Sequence, residues 1–207
     1  MTKIKLCGLT SLNDIHYANE AMPDYIGFVF AKSKRQIDFQ TAAYFKQNLS
    51  PDIKAAGVFV NEDMAFIKQL CDENIIDMVQ LHGDEDGKYL SQLKQLIDQP
   101  IIKAIRIENR FGKLQSDADY ILFDTFHKNM YGGSGESFDW NLIAGFPIPF
   151  FLAGGLNITN IEKAVRLTKP FCVDVSSGVE TNGTKDLYKM LEIVKKVRSI
   201  KKSEKSN

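Results

Sequence analysis

The chain has 207 residues, 44% of them hydrophobic, and its 26 basic and 26 acidic side chains give a formal net charge of zero. This balance lacks the excess of positive charge by which proteins hold DNA or RNA, so we expect no nucleic-acid partner. The amino terminus lacks the basic and apolar regions of a signal peptide, and no apolar run approaches the roughly 20 residues that cross a bilayer. We therefore expect a soluble, cytoplasmic protein without a membrane partner.

The three cysteines of the chain are Cys7, Cys71 and Cys172. Their odd number and the lack of a C-x-x-C spacing suggest neither a disulfide framework nor a thiolate metal site. No pair of histidines, cysteines or carboxylates in the sequence has a convincing metal-ligand spacing either. We expect reduced thiols and no bound metal.

Short apolar runs rich in β-forming residues alternate with segments of helical period along almost the whole chain. The first four runs, which we predict as strands, cover 4–7, 25–30, 54–60 and 77–81. A helical segment follows each of them. Ser11 or Thr10 is predicted to cap the first helix, and Asn61 the third.

The second half of the chain continues the alternation, with predicted strands at 100–106, 119–124, 149–153 and 171–175. The crossover between 106 and 117 has few apolar residues, which predicts a short helix or a loop. A polar loop at 127–137 contains the run Gly132-Gly133-Ser134-Gly135, and a helix is predicted to begin at Phe138. Residues 201–207 form a polar tail.

Eight strand–helix units of roughly 26 residues each fit an α/β fold of the (β/α)8 type, a TIM barrel of the smallest size. We predict a single domain over residues 1–200, because no linker interrupts the series. An open doubly wound sheet is the main alternative, but it normally uses about six strands and would leave two units unexplained. In a barrel, the loops that follow the strands gather at one face and form the active site, with phosphate commonly bound after the last two strands.

The last two predicted strands are each followed by a turn of the kind that binds phosphate. The first turn contains Gly154 and Gly155, after which Asn157 is predicted to cap a helix. The second turn, Ser176-Ser177-Gly178, is small and rich in backbone N–H groups, and Thr184 is predicted to cap the final helix. Because helix amino termini hold anions through exposed N–H groups, the two turns together predict a phosphate cradle.

Residues at strand ends are the candidates for chemistry, and Cys7 ends the first strand while Asp124 ends the sixth. A free cysteine is most often a small buried hydrophobe, but N–H groups of the helix after Gly8 are placed to stabilise a thiolate at Cys7. Cys71 and Cys172 lack this placement and are predicted to be packing residues. A carboxylate at Asp124 is costly to desolvate, which suits a general acid, although a loop-anchoring aspartate is an equal alternative.

Four further polar residues lie at or near strand ends. Arg35 follows the second strand, and its fork of donors suits a substrate carboxylate, although an arginine in a polar loop is usually solvated. His82 can hydrogen-bond a ligand or close its own loop, and Arg106 ends the fifth strand. Asp174 lies one residue inside the eighth strand and is predicted to have a structural or supporting role.

Eight short motifs occur along the chain in a specific order: KLCGLT at 5–10, GFVF at 27–30, Ser33 with Arg35, GVFV at 57–60, QLHG at 80–83, GGSG at 132–135 with FDW at 138–140, LAGGL at 152–156 and VDVSSGVE at 173–180. By these motifs the chain closely resembles the phosphoribosylanthranilate isomerases, barrel enzymes of tryptophan biosynthesis. The resemblance covers nearly the full chain. No single motif is diagnostic, but their order is highly specific.

The resemblance implies an Amadori rearrangement, in which the aminoaldose N-(5-phosphoribosyl)anthranilate becomes the aminoketose 1-(2-carboxyphenylamino)-1-deoxyribulose 5-phosphate. It implies Asp124 as the general acid and Cys7 as the general base. It also implies that Arg35 holds the anthranilate carboxylate and that His82 contacts the substrate. The phosphate would be held by the two turns, at Gly154, Gly155, Ser176, Ser177 and Gly178.

The resemblance further implies no cofactor or metal, a small phosphoribosyl substrate as partner, and a monomer or a homodimer. Lys34 stands where the family commonly has a proline, which predicts a less stiff loop before Arg35 and an effect on affinity rather than on chemistry. Residues 125–131 cannot be matched to the family one by one.

Two other functions fit the sequence less well. A barrel isomerase acting on an aminoimidazole phosphoribosyl substrate would be expected to use two carboxylates in place of Cys7 and to show a repeat of its two halves, which this sequence lacks. A phosphosugar-binding barrel without catalysis would bind a product analogue but show no turnover at any pH.

Overall fold

The computed structural model describes residues 1–107, 117–125 and 139–200. Eight parallel strands pair in chain order, and the eighth pairs with the first, so the predicted (β/α)8 barrel is confirmed. The strands are β1 Lys3–Cys7, β2 Tyr25–Val29, β3 Lys54–Phe59, β4 Met78–Leu81, β5 Ile101–Ile107, β6 Tyr120–Thr125, β7 Phe150–Leu152 and β8 Cys172–Val175.

Helices connect the strands and cover the outside of the barrel. The α-helices are α1 Leu12–Ala21, α2 Phe39–Asn48, α3 Met64–Asp72, α4 Gly87–Leu93, α5 Ile161–Thr168 and α6 Leu187–Ser199. Two short 3₁₀ turns cover Trp140–Ile143 and Ser177–Val179. Across the three described ranges, no helix combines the length and the apolar character needed to cross a bilayer.

Two apolar clusters lie on opposite sides of the barrel wall. The larger cluster fills the space between the strands and the helices, and the smaller one lies inside the barrel. The inner cluster is made of Tyr25, Ala56, Met78, Ile102, Ala104, Leu122, Phe151, Ala153 and Cys172. Because side chains alternate along a strand, Leu6 on β1 belongs to the outer cluster while Lys5 and Cys7 face the interior. Each strand can therefore carry polar groups inward and still bury an apolar face.

Side-chain oxygen atoms start most of the helices. Ser11 caps α1 in a reciprocal pair with Asp14, which decides between the two predicted caps. The predicted cap of α3 is wrong, because Asp63 rather than Asn61 accepts the first hydrogen bond. Asn61 has a left-handed φ of 50° and uses its side-chain oxygen on the N–H of Asp84. It therefore joins the loops after β3 and β4 instead of starting a helix.

The segment after β8 also differs from the prediction. A small antiparallel hairpin, β9 Glu180–Thr181 with β10 Thr184–Lys185, precedes α6. Asp186, not Thr184, caps that helix. The turn is Asn182-Gly183, with φ angles of 53° and 81°. Such a dipeptide is a strong hairpin signal, because both positions of this turn require positive φ.

The region around 139–149 contains a single 3₁₀ turn, capped by Asp139, in place of the predicted longer helix. Three predicted segments fall outside the described residues. They are the central part of the crossover after β5 (108–116), the loop with the glycine-rich run (126–138) and the polar tail (201–207).

Candidate active site

A cavity of about 460 Å³ lies at the carboxyl ends of the strands. All of the predicted site residues except Gly178 line it, although they come from widely separated parts of the chain. Val29, Val58 and Leu156 give it apolar walls. The predicted acid, base, carboxylate-binding and phosphate-binding groups therefore share one cavity.

Cys7 ends β1 as a half-buried residue in the lining of this cavity. The neighbouring strand leaves room for the thiol, because a Cβ atom at Gly27 would lie 2.5 Å from the Sγ atom of Cys7. Burial raises the pKa of Cys7, and the ammonium group of Lys5 offsets this only in part. Without a ligand, the thiol form of Cys7 is therefore favoured over the thiolate.

The predicted stabilisation of a thiolate by N–H groups at the start of α1 stays a prediction, but the N–H groups of the preceding loop do not contribute to it. The N–H of Gly8 donates to the carbonyl of Gly27 at 2.9 Å, and the N–H groups just before α1 donate to the carboxylate of Asp14. These loop N–H groups already donate to β2 or to Asp14 of α1, so they are not available to Cys7. Among the positive charges that lower the pKa of Cys7, Lys5 has the largest effect and Lys185 a smaller one. Lys5 lies two residues earlier on the same face of β1.

Asp124 lies on β6 with only 4% of its surface exposed. The Nε2 atom of His82 lies 3.2 Å from the Oδ2 atom of Asp124. Arg106 is opposite Asp124 in the β5–β6 register and donates to the carbonyl of His82 at 3.3 Å. The two predicted site residues His82 and Asp124 are thus in direct contact. Arg106 on β5 connects the two, because it is paired with Asp124 in the sheet and hydrogen-bonds the backbone of His82.

A buried polar chain crosses the barrel interior beneath the cavity. The Nζ atom of Lys5, which is fully buried, donates to Asp174 at 2.7 Å and to the Oε1 atom of Gln80 at 2.9 Å. The Nε2 atom of Gln80 lies 2.9 Å from the Nδ1 atom of His82. Burial alone would lower the pKa of Lys5, but the Asp174 carboxylate outweighs it and the pKa is raised. Lys5 is therefore an ammonium ion at neutral pH.

Sequence reasoning missed Lys5 and Gln80, although a signal for both exists. Each lies two residues before a predicted site residue, Lys5 before Cys7 and Gln80 before His82, and residues two apart on a strand share one face. The supporting role predicted for Asp174 agrees with its ion pair to Lys5. Its second oxygen, Oδ1, is buried and has no hydrogen-bond partner among the described residues.

Arg35 is held by a second ion-pair network at the rim of the cavity. Its Nε and Nη2 atoms donate to the two carboxylate oxygens of Glu180 at 2.8 and 3.0 Å. Lys185, on β10, donates to Glu180 at 2.7 Å and to the carbonyl of Ser176 at 3.0 Å. The hydrogen bonds to Glu180 raise the pKa of Arg35. Glu180 and Lys185 were not predicted as site residues, because the hairpin of β9 and β10 that carries both of them was not predicted.

The loop before Arg35 carries Lys34 in place of the usual proline. The backbone N–H of Arg35 donates to the side-chain oxygen of Ser33 at 3.1 Å. The lower stiffness expected of this loop stays a prediction.

The two predicted phosphate-binding turns face each other after β7 and β8. Gly154 and Gly155 have φ angles of 86° and 63°, which an L side chain rarely adopts. A Cβ atom at Gly178 would lie 2.0 Å from the carbonyl oxygen of Leu156, so the two loops touch at this point. The backbone N–H groups of Gly155, Ser177 and Gly178 have no acceptor in the described part of the chain. They are available to an anion.

The helix ends at these turns differ from the prediction. Only a short 3₁₀ turn begins at Ser177, and α5 begins at Ile161, well after the first glycine turn. Asn157 does not cap α5, because its side-chain oxygen accepts from the N–H of Thr159 at 2.9 Å. Asn160 closes the loop instead, by donating to the carbonyl of Gly155 at 2.9 Å. The candidate anion site is therefore a nest of loop N–H groups rather than two α-helix ends.

A second cavity, of about 590 Å³, lies at the opposite end of the barrel. Its lining includes Met1, Phe150 and Pro170, with Arg166 and Lys169 as its charged residues. It lacks a pair of groups that could act as acid and base, so we place the chemistry in the cavity with Cys7. No group of three or more potential metal ligands occurs within residues 1–107, 117–125 and 139–200.

Comparison with known proteins gives the same family at the levels of sequence and fold. The family model of N-(5'-phosphoribosyl)anthranilate isomerase matches residues 4–196. An N-(5'-phosphoribosyl)anthranilate isomerase from Endomicrobium trichonymphae is 52% identical over 200 residues, which cover 97% of this chain and 100% of the relative.

Solved structures of the same enzyme share the fold. One, of monomers generated from the dimeric phosphoribosylanthranilate isomerase of Thermotoga maritima, has a TM-score of 0.79 and 32% identity and covers 96% of this chain and 100% of its own. Another is a phosphoribosylanthranilate isomerase in complex with reduced 1-(o-carboxyphenylamino)-1-deoxyribulose 5-phosphate. It has a TM-score of 0.78 and 33% identity, over 96% of this chain and 99% of its own.

Proposed function

The chain belongs to the N-(5'-phosphoribosyl)anthranilate isomerase family of tryptophan biosynthesis, and we propose that it catalyses this isomerisation with Asp124 as general acid and Cys7 as general base. The observation that carries the proposal is the single cavity shared by these two groups and by the unsatisfied N–H groups after β7 and β8. The cavity offers a place for each part of an anthranilate joined to a ribose phosphate.

Substrate binding uses the two ends of the cavity. The phosphate accepts hydrogen bonds from the N–H groups of Gly155, Ser177 and Gly178, with Gly154 and Ser176 shaping the turns. At the other end, Arg35 meets the anthranilate carboxylate with the donors that Glu180 does not use. The apolar walls between these ends suit the aromatic ring.

The chemistry requires two proton transfers, one to the ring oxygen and one from a carbon, and both of these atoms are bonded to the anomeric carbon. Asp124 gives its proton to the furanose ring oxygen, the bond from that oxygen to the anomeric carbon breaks, and a Schiff base forms. Cys7, as a thiolate, then takes the proton from the adjacent carbon and leaves an enolamine. The enolamine tautomerises to the aminoketose product. Fixed positions in one cavity let each group meet its own atom.

The surroundings of the two residues fit these opposite roles. Asp124 is nearly buried beside an imidazole, and Cys7 lies near the ammonium ion of Lys5. Since burial raises the pKa of Cys7, the thiolate must form against a cost in the free cavity. We therefore propose that turnover rises with pH until Cys7 is ionised.

The direct test is turnover of freshly made phosphoribosylanthranilate, followed as the loss of anthranilate-type fluorescence. We expect kcat to fall by about 100-fold or more in Cys7→Ser and in Asp124→Asn, because each variant loses a proton-transfer group. Both variants should still bind a product analogue. Cys71→Ser is the matched control, since Cys71 lies on α3 outside the barrel wall, and it should keep its kcat.

Near-normal turnover in both active-site variants would refute these roles. Tight binding of a product analogue without turnover at any pH in the unmodified protein would instead indicate a phosphosugar-binding barrel without catalysis.

We also propose the domain bounds, the cellular location and the oligomeric state of the protein. The barrel forms one domain over residues 1–200 with 201–207 as a tail, and the protein acts in the cytoplasm as a monomer or a homodimer. Removal of 201–207 should then leave kcat and KM unchanged. Light scattering at working concentration should give the mass of one or two chains.

A further inference from the structure

His82 lies between two polar side chains, and the order of donors along this chain of contacts determines which of its ring nitrogens carries hydrogen. We propose that Gln80 is a positioning residue, which keeps His82 neutral with its hydrogen on Nε2 so that His82 donates to Asp124. The proposal deepens the function proposed above and rests on it for its catalytic meaning. It assigns a role to Gln80, whose side-chain amide hydrogen-bonds to Lys5 and His82.

The order of donors begins at Lys5. An ammonium group has three donors and no acceptor, so the atom of Gln80 that faces it at 2.9 Å must be the amide oxygen. The ion pair with Asp174 at 2.7 Å keeps Lys5 charged, and the complete burial of Lys5 shields the contact with Gln80 from bulk solvent. The orientation of the Gln80 amide is thereby determined.

The amide nitrogen of Gln80 must then face His82. It lies 2.9 Å from Nδ1, and an NH₂ group can only donate. Nδ1 is therefore the unprotonated acceptor of the ring, and the hydrogen of the neutral imidazole is on Nε2.

The Nε2–H group of His82 completes the chain by donating to the Oδ2 atom of Asp124 at 3.2 Å. When Asp124 gives its proton to the ring oxygen of the substrate, a carboxylate is left in a nearly buried position. The hydrogen bond from Nε2 stabilises this carboxylate, since a donor favours the charged form of an acid. His82 itself neither gives nor takes the proton, and Arg106 donates to the backbone carbonyl of His82.

The tautomer can be measured directly. The chain contains three histidines, so ¹⁵N–¹H correlation spectra of the imidazole groups can be assigned with a single His82→Asn variant. We expect the unmodified protein at neutral pH to show a protonated Nε2 and an unprotonated Nδ1 at His82. A hydrogen on Nδ1, or an imidazolium, would overturn the proposal whether or not the protein is an isomerase.

The role of Gln80 is tested with Gln80→Glu and Gln80→Met. A carboxylate at this position accepts a hydrogen from Nδ1, which either removes the hydrogen from Nε2 or forms an imidazolium that holds Asp124 as a carboxylate. Both outcomes disable the acid, so we expect a proton on Nδ1 in the spectrum. We expect kcat to fall by at least about 10-fold, with KM within about threefold of the unmodified value. Gln80→Met should give a mixture of tautomers and an intermediate kcat.

Gln99→Glu is the matched control, because the Gln99 side chain donates to the carbonyl of Cys71 and does not line the cavity that holds Cys7. It should leave the His82 spectrum and kcat unchanged. Thermal unfolding by circular dichroism will show whether each variant is folded. An unmodified His82 spectrum and kcat in folded Gln80→Glu would refute the positioning role, whereas an inactive unmodified protein with the expected tautomer would refute only the proposed function.

Discussion

At the residue scale, the orientation of the Arg35 side chain is fixed by its neighbours. Its guanidinium group lies against Glu180 through two hydrogen bonds, and Lys185 holds the same carboxylate from the other side. Burial alone would raise the pKa of Glu180, but Arg35 and Lys185 outweigh it and the pKa is lowered. Glu180 therefore stays charged at neutral pH and keeps the arginine in one orientation before any substrate binds.

Glu180→Gln should test this orientation of Arg35. The amide can accept only one of the two charge-assisted hydrogen bonds, so Arg35 becomes less ordered and must be fixed on binding. We expect KM to rise by about 3- to 10-fold with kcat nearly unchanged, because the interaction is made equally in the ground state and the transition state. Steady-state kinetics with Glu192→Gln, an exposed glutamate on α6, as control will measure it. A large fall in kcat with unchanged KM would contradict this reading.

At the element scale, the proposed phosphate site is formed by two loops, which touch at Gly178. The added Cβ of any other residue would lie 2.0 Å from the carbonyl oxygen of Leu156, which belongs to the loop after β7. Backbone cannot move aside as a flexible side chain can. The distance between the two nests of N–H groups is therefore set by the absence of a side chain at one position.

Gly178→Ala should push the two loops apart and weaken phosphate binding. We expect KM for the substrate and the inhibition constant of inorganic phosphate both to rise, by about 10-fold or more, since several N–H contacts are displaced together. Competition kinetics with phosphate will measure this. Gly87→Ala is the control, because a Cβ at Gly87 meets nothing within 4 Å, and it should leave both constants unchanged. Equal phosphate inhibition in the two variants would exclude Gly178 from the anion site.

The elements that sequence reasoning missed are short and depend on turns. The hairpin of β9 and β10 has only two residues in each strand, too few for a hydrophobic period, and its signal is the dipeptide Asn182-Gly183. The loop between Gly155 and α5 is closed by Asn157 and Asn160, whose side chains bond to nearby backbone groups. Such local bonds compete with helix formation and delay the start of the helix.

The ion pair of Lys5 and Asp174 belongs to the scale of the whole molecule, because it lies where the barrel closes. The two residues are direct partners in the register of β1 and β8. Removal of one partner of a buried pair leaves an uncompensated charge, which typically costs about 3–5 kcal/mol. Replacement of both by apolar residues removes that cost. The closure of the barrel is thus sensitive to single changes here.

A double-mutant cycle can test this coupling. We expect Lys5→Met and Asp174→Leu each to lower the free energy of unfolding by about 3–5 kcal/mol, and the double variant to lose much less than their sum. Urea unfolding at pH 7 is the measurement. Because the fold raises the pKa of Lys5, its contribution is fully present below the unfolded value of about 10.4 and is lost only as pH rises through the folded value. Additive losses would show that the pair is not coupled.

The sequence by itself determined the repeated strand–helix unit, and from it the barrel and the end at which the site forms. Apolar periods and strand-end residues are local signals, and in a closed parallel barrel all strand ends meet at one face. For that reason Cys7, Arg35, His82 and Asp124 could be placed in one site before their contacts were known. The family motifs supported the same grouping.

Only the tertiary structure decided which side chains meet across the barrel. Lys5, Gln80 and Asp174 lie on strands β1, β4 and β8, and nothing local in the sequence encodes the distances between them. The same holds for Glu180, whose partner Arg35 is 145 residues away in the chain. Local periods determine which face of a strand is buried, whereas barrel closure determines which polar groups on those faces come within hydrogen-bond distance. The electrostatics around Cys7 and Asp124 therefore became visible only in the folded chain.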